Sequence, residues 1–182
     1  MGCAVAQFEG GAEGWRQPEE YAEAALASFG THDLPTWEGW RQGRDIAARA
    51  RIGGWDEAFR AEAMDERRAE VAGFVQAIGG ESHDAVARFL ARTPARLVAL
   101  QIEDILGIED QPNLPGTTGE YPNWRRRLPL APEALGDHFA LARTAAIMAE
   151  TGRKEPRMET ITVPTDPIDG QKPGTSGLRP KT

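Results

Sequence analysis

Three short apolar runs, far apart in the sequence, constrain the fold of this 182-residue chain more than any other feature. They lie at residues 3–8, 24–30 and 97–102. Each is an apolar run of strand length, which is typical of a buried parallel strand. Helical patterns occupy the interval between the second and third runs. The order of elements therefore predicts an α/β fold built around parallel strands.

Two predicted helices occupy the interval before the third run. The first covers residues 55–78 and ends at Gly79-Gly80, where glycine can take the left-handed conformation that closes a helix. The second begins after Ser82, a plausible N-cap, and ends at Thr93-Pro94. Apolar residues recur in both at helical spacing, so one face of each should be buried. The expected inward residues are Val71, Phe74, Val75, Ile78, Val86, Phe89 and Leu90.

The C-terminal third changes character twice. A loop rich in proline and glycine covers residues 107–132, and a last helix is predicted over residues 132–151. Residues 153–182 contain five prolines, few large apolar residues and no periodicity, so a disordered tail is expected after a first unit at 1–152. The expected buried stripe of the last helix is Leu135, Phe139, Ala142, Ala146 and Ala149.

Charge and composition exclude several classes of partner. The chain has 28 acidic and 21 basic residues and a formal charge of −7, which argues against nucleic acid. No apolar run approaches the roughly 18 residues that indicate a membrane span. The single cysteine, Cys3, excludes an intramolecular disulfide and favours a cytoplasmic location. His83 and His138 have no partner at metal-ligand spacing, so no metal site is expected.

A histidine–aspartate pair follows the second apolar run, in Thr31-His32-Asp33-Leu34-Pro35-Thr36. An aspartate beside a histidine at a strand end can hold sugar hydroxyls while positive charge develops on a ring. Glycosyl transfer needs carboxylates on both sides of the bond that breaks. Spacing by itself favours a simpler interpretation, in which Asp33 caps the turn before Pro35 and His32 is exposed.

A second motif follows the third run and its acidic end, Glu103-Asp104. Carboxylates at the C-terminal end of a buried strand lie where an α/β barrel carries its chemistry. Residues 113–127 read Asn-Leu-Pro-Gly-Thr-Thr-Gly-Glu-Tyr-Pro-Asn-Trp-Arg-Arg-Arg, and glycine and proline there suit a sharply bent backbone. A structural alternative stays open: Trp124 would pack under the barrel, and the arginines would pair with Glu103 or Asp104.

Together the two motifs resemble the C-terminal part of the 4-α-glucanotransferases (amylomaltases, or disproportionating enzymes), which transfer α-1,4-glucan segments between sugars. The resemblance runs from about residue 5 to 152. It implies the last strands and helices of a TIM (β/α)8 barrel, incomplete as a barrel, and a retaining mechanism without metal or organic cofactor. It also implies that Asp33 is the catalytic transition-state stabiliser, and that His32, Asn113 and Thr117 bind substrate. Trp37, Trp40 and Trp124 are well placed to report a bound sugar.

The resemblance implies a transferase by family whose nucleophilic Asp and acid/base Glu belong to earlier strands. No other Asp or Glu here has a matching context, so the chain is expected to be inactive alone. Its partners would be maltooligosaccharides or α-1,4-glucans and, for activity, the missing N-terminal part of the enzyme. The alternative is a non-catalytic carbohydrate-binding or complementing fragment.

The tail carries a second resemblance. Within residues 158–182, the run 171–179 (Gln-Lys-Pro-Gly-Thr-Ser-Gly-Leu-Arg) is similar to the N-terminus of the α-phosphoglucomutases. The phosphoserine loop of that family is absent, so the similarity implies no mutase activity. We interpret the tail as the start of a neighbouring gene read through from the first, which sequencing across the locus would test.

Overall fold

The computed structural model describes residues 2–11 and 13–153, and the backbone of residues 171–174 and 177–180. The strands are β1 (Gly2–Val5), β2 (Gly10–Gly11), β3 (Gly14–Trp15), β4 (Ala25–Ser28), β5 (Leu97–Ala99), β6 (Gln171–Gly174) and β7 (Gly177–Pro180). The α-helices are α1 (Trp37–Gln42), α2 (Arg44–Gly53), α3 (Glu57–Ile78), α4 (His83–Arg92), α5 (Ile102–Ile105), α6 (Pro132–Leu135) and α7 (Phe139–Glu150).

The three predicted strands form one parallel sheet in the order β1-β4-β5. Ala4 pairs with Ala27 and Leu26 with Leu97, so β4 lies in the middle. The alternation of strands and helices is therefore confirmed. All three strands are shorter than predicted, and β4 covers only residues 25–28 of the run 24–30. Residues 6–8 turn into a 3-10 helix, and the third run leaves the sheet after Ala99 because its acidic end forms the first turn of α5, where the helix dipole favours carboxylates.

Aromatic rings fill the space between the sheet and helices α1, α3 and α4. Phe74 on α3 is completely buried, and its ring centroid lies 5.7 to 5.9 Å from those of Phe29, Trp37, Trp40 and Phe89. The predicted inward faces of both helices are confirmed, since the remaining residues of those faces also belong to this core or pack against it. The core therefore packs Trp37 and Trp40 of α1 against Phe29, the residue that follows β4.

The last predicted helix differs from the structure in two ways. It is divided into α6 and α7 by the segment 136–138, and the His138 ring nitrogen accepts a hydrogen bond from the backbone of Ala140 to begin α7. The predicted stripe is also wrong, because α7 buries Thr144 and Ile147 while Phe139 is 73% exposed. The buried face of α7 contains Ile147, whose burial stabilises more than burial of the alanines in the predicted stripe.

Two features concern the segment after α7. The Arg153 guanidinium donates hydrogen bonds to the carbonyls of Ala91, Thr93 and Ala95, so this residue packs against the end of α4. Residues 171–174 and 177–180 pair as antiparallel strands β6 and β7, and the disorder of the tail stays a prediction. The rest of the predicted tail lies outside the described residues.

None of the described helices is long and apolar enough to cross a membrane.

Replacing Phe74 by alanine should lower the free energy of unfolding by about 3–5 kcal/mol, because the change leaves a cavity inside the aromatic cluster. Urea denaturation followed by circular dichroism measures this loss. Phe8→Ala is the matched control, because Phe8 is 69% exposed, and its effect should stay within about 0.5 kcal/mol. Equal losses in the two variants would contradict the assignment of Phe74 to the core.

Candidate functional site

The histidine–aspartate pair lies in a tight turn just beyond the C-terminal end of β4. Leu34 N donates to Thr31 O at 3.0 Å, and Asp33 N donates to the Thr31 hydroxyl at 3.3 Å. The side chains of His32 and Asp33 are 61% and 47% exposed, with His32 Nε2 at 3.6 Å from Asp33 Oδ1. The turn therefore presents an imidazole and a carboxylate side by side to solvent.

The second motif meets this pair directly. Asn113 Nδ2 donates to Asp33 Oδ1 at 2.6 Å, although the two residues are 80 positions apart. Gln111 Nε2 donates to the carbonyls of Asp33, at 3.3 Å, and Asn113, at 2.6 Å. The structure thus brings together three of the predicted site residues, His32, Asp33 and Asn113. The sequence did not indicate a role for Gln111, because its neighbours in the chain do not distinguish it from a surface glutamine.

Thr117 has a different environment from the other predicted ligands. Its hydroxyl donates to Leu114 O at 2.7 Å and accepts from Asn123 Nδ2 at 2.8 Å. Asn123 Oδ1 in turn accepts from Leu114 N at 2.9 Å, so these contacts close the loop 114–123 on itself. The hydroxyl proton of Thr117 is committed within the loop, which leaves one lone pair for a ligand. Its role in substrate binding stays a prediction.

The structural alternative for the second motif is wrong in two respects. Trp124 does not pack under the sheet: it is 63% exposed, and its ring centroid lies 5.1 Å from that of His32. Arg126 pairs with Asp110, at 2.9 Å, rather than with Glu103 or Asp104. Arg44 on α2 binds the other oxygen of Asp110, also at 2.9 Å, so Asp110 links the loop to α2.

A cleft of about 780 Å³ opens beside the pair. His32 and Trp124 line it, and Asp33 lies at its margin, next to His32 in the chain but outside the lining. The rest of the lining consists of Gln101, Glu103, Ile108, Glu109, Asp110, Pro112, Arg126, Arg127, Leu128 and Pro129. In the part of the chain that the structure describes, no group of three or more His, Cys, Asp or Glu side chains could hold a metal ion.

Buried contacts fix the backbone that carries the pair. Trp37 N, at the start of α1, donates to Asp104 Oδ1 at 2.6 Å. Thr36 Oγ1 donates to Glu109 O at 3.1 Å. Gly39 permits this close approach, since a Cβ there would lie 2.2 Å from Glu109 O. The two acidic residues that end the third run therefore have different contacts. Glu103 lines the cleft, whereas Asp104 accepts a hydrogen bond from the start of α1.

Asp104 is 3% exposed, and burial raises the pKa of its carboxyl to about 7, although the hydrogen bond from Trp37 lowers it. The neighbouring carboxylates of Glu103 and Glu38 raise the same pKa further. The ionised form is therefore costly in the folded protein.

Known proteins resemble this chain in sequence and in fold. The sequence model of the glycoside hydrolase 77 family, 4-alpha-glucanotransferase, matches residues 1–131. A 4-alpha-glucanotransferase of Mycobacterium tuberculosis is 37% identical over 153 residues, covering 74% of this chain and 21% of that protein. The chain thus spans about a fifth of the length of the curated relatives that it matches.

Two solved structures are similar to the fold. The amylomaltase of Corynebacterium glutamicum matches with a TM-score of 0.73 and 27% identity, over 81% of this chain and 25% of that one. The amylomaltase of Streptococcus agalactiae in complex with acarbose matches with a TM-score of 0.56 and 20% identity, over 84% of this chain and 27% of that one. At 20% identity, the match to the Streptococcus agalactiae structure shows similarity of fold alone.

Asp104→Asn should make stability less dependent on pH. The folded protein binds a proton that the unfolded chain has released, because the pKa of Asp104 rises from 3.8 to about 7 on folding. The free energy of unfolding of the wild type should therefore fall as pH rises towards 7. From pH 5.5 to 8.5 the free energy of unfolding of the wild type should fall by about 2 kcal/mol more than that of the variant. This value follows from about 1.4 kcal/mol per pH unit over the roughly 1.5 pH units between pH 5.5 and the pKa of Asp104.

Urea denaturation at the two pH values measures this difference. Asparagine keeps the oxygen that accepts from Trp37 N, so the packing at α1 should persist in the variant. Parallel pH dependences for the wild type and Asp104→Asn would contradict a buried carboxyl with a raised pKa.

Proposed function

The chain belongs to the 4-alpha-glucanotransferase family, and we propose on that premise that it serves the retaining transfer of α-1,4-glucan segments between maltooligosaccharides. Asp33 stabilises the oxocarbenium-like transition state, and His32 and Asn113 bind the sugar whose bond is cleaved. The hydrogen bond from Asn113 Nδ2 to Asp33 Oδ1 carries this proposal, because it joins the two motifs into one site.

The geometry suits electrostatic stabilisation. The Asp33 carboxylate is about half exposed, and Asn113 holds one of its oxygens, so its orientation is set before a substrate arrives. A carboxylate that is already oriented stabilises developing positive charge without reorganising during the reaction. The exposed imidazole of His32, 3.6 Å from the same carboxylate oxygen, can hydrogen-bond the hydroxyls of the same sugar.

In this proposal, β1, β4 and β5 are the last strands of a (β/α)8 barrel. Within the described residues, β1 and β5 each pair with a neighbour on one side only. An unpaired strand edge presents backbone donors and acceptors to a further strand. This observation favours the second candidate function, a fragment that binds carbohydrate and complements the remaining strands. We assign residues 1–152 to the barrel unit and residues 153–182 to a separate tail.

The chain alone should not catalyse transfer. Retaining transfer requires a nucleophilic carboxylate and an acid/base carboxylate, and the family resemblance gives this chain only the stabilising Asp33. Incubation of purified protein with maltotriose should release no glucose above a heat-denatured blank. Glucose release by the wild type that is lost in Asp33→Ala would contradict this expectation and would place all the catalytic groups in this chain.

The chain alone should nevertheless bind glucan through the paired motifs. Isothermal titration with maltohexaose should give saturable binding, and Asp33→Ala and Asn113→Ala should each weaken it about tenfold, the expected effect of losing a hydrogen bond to a charged group. Asp65→Ala is the matched control, because Asp65 is an exposed carboxylate on α3. Binding should be unchanged in that variant.

Two results would contradict the proposed site. A flat titration of the wild type would exclude glucan binding by this chain. Equal affinities of the wild type, Asp33→Ala and Asn113→Ala would place the sugar elsewhere on the protein.

A further inference from the structure

The cleft beside His32 has one exposed aromatic wall. We propose that Trp124 is a stacking platform for a glucose unit in this cleft. The inference rests on the proposed function and adds to it a sugar subsite next to the Asp33 carboxylate.

Exposure of the Trp124 indole points to a ligand. Trp37 and Trp40, the other two expected reporters of a sugar, are 0% and 2% exposed and form part of the core, so that expectation is wrong for them. Trp124 is 63% exposed and is the large aromatic side chain of the cleft lining. An indole combines a broad apolar face with a polar N–H, which suits a ring whose faces are apolar and whose rim carries hydroxyls.

The backbone of Trp124 is held in an unfavourable conformation that aims the ring. Its φ of 58° lies in the left-handed region, which costs a bulky residue about 1 kcal/mol or more. The surrounding loop maintains it, since Trp124 N donates to Pro112 O at 2.9 Å and Asn123 N donates to Tyr121 O at 2.8 Å. The ring lies 5.1 Å from His32, tilted by 48°. Strain that points an exposed aromatic ring towards a functional pair is typical of a binding site.

The remaining lining indicates a neutral ligand with many hydroxyls. Three carboxylates, of Glu103, Glu109 and Asp110, lie alongside the guanidinium groups of Arg126 and Arg127. This mixture offers acceptors and donors around the rim but no net positive charge for a phosphorylated sugar. A volume of about 780 Å³ lies within the range of small-ligand sites.

Titration with maltohexaose, followed both by calorimetry and by tryptophan fluorescence, tests the platform. Trp124→Gly suits the left-handed backbone, so its thermal midpoint should equal or exceed that of the wild type. Its affinity should fall about tenfold and its fluorescence change should disappear. Trp124→Phe should retain most of the affinity while losing the fluorescence change. Trp55→Ala, the matched control, should keep both signals, because Trp55 packs on Phe59 and is not part of the cleft lining.

The outcomes separate this inference from the proposed function. Wild-type binding that depends on Asp33 but is unchanged in Trp124→Gly would overturn the platform and leave the proposed function standing. Absence of wild-type binding would overturn both. A lowered thermal midpoint in both Trp124→Gly and Trp124→Phe, with loss of affinity in proportion, would make Trp124 a structural residue and would overturn the inference.

Discussion

The contact between the Asn113 amide and the Asp33 carboxylate, at 2.6 Å, is the interaction on which the rest of the site depends. It joins the turn after β4 to the loop after β5. Parallel pairing of these two strands places both C-terminal ends at the same edge of the sheet, so residues far apart in sequence meet there. Without this contact the carboxylate would rotate freely on an exposed turn, and its position relative to His32 and Trp124 would be undefined.

Buried hydrogen bonds and the apolar core both fix the backbone near that contact. The aromatic cluster around Phe74 holds α1 against the sheet, while Asp104 accepts from the first backbone N–H of α1. Burying Asp104 raises its pKa to about 7, so the fold bears a cost for keeping this acceptor in place. A residue that destabilises the ionised protein yet orients a nearby functional turn is a common compromise at binding sites.

The sequence predicted those parts of the fold in which local pattern and long-range packing agree. The inward face of α3 followed from helical spacing, and the apolar runs at β1, β4 and β5 indicated parallel strands. The last helix was mispredicted because its alanine stripe has regular spacing but little area to bury, whereas Ile147 offers more. The exposure of Trp124 and the burial of Trp37 depend on which loop meets which strand, and no local pattern encodes that.

The candidate site was predictable only in part, as the fold was. His32, Asp33 and Asn113 stood out because a family resemblance assigned them roles, and the structure brings them together. Gln111 donates to the backbone of both motifs, but the sequence did not indicate it, since its hydrogen bond to Asp33 joins residues 78 positions apart that meet only on folding.

Side-chain amide resonances of Asn113 give the most direct test of the central claim, that Asp33 and Asn113 together hold a glucose unit. In a heteronuclear NMR titration of the 15N-labelled chain with maltohexaose, the Asn113 side-chain signals should shift progressively to saturation, together with the backbone signals of His32 and Asp33. Saturable shifts confined to other surfaces of the protein, with the Asn113 amide unmoved, would contradict the account.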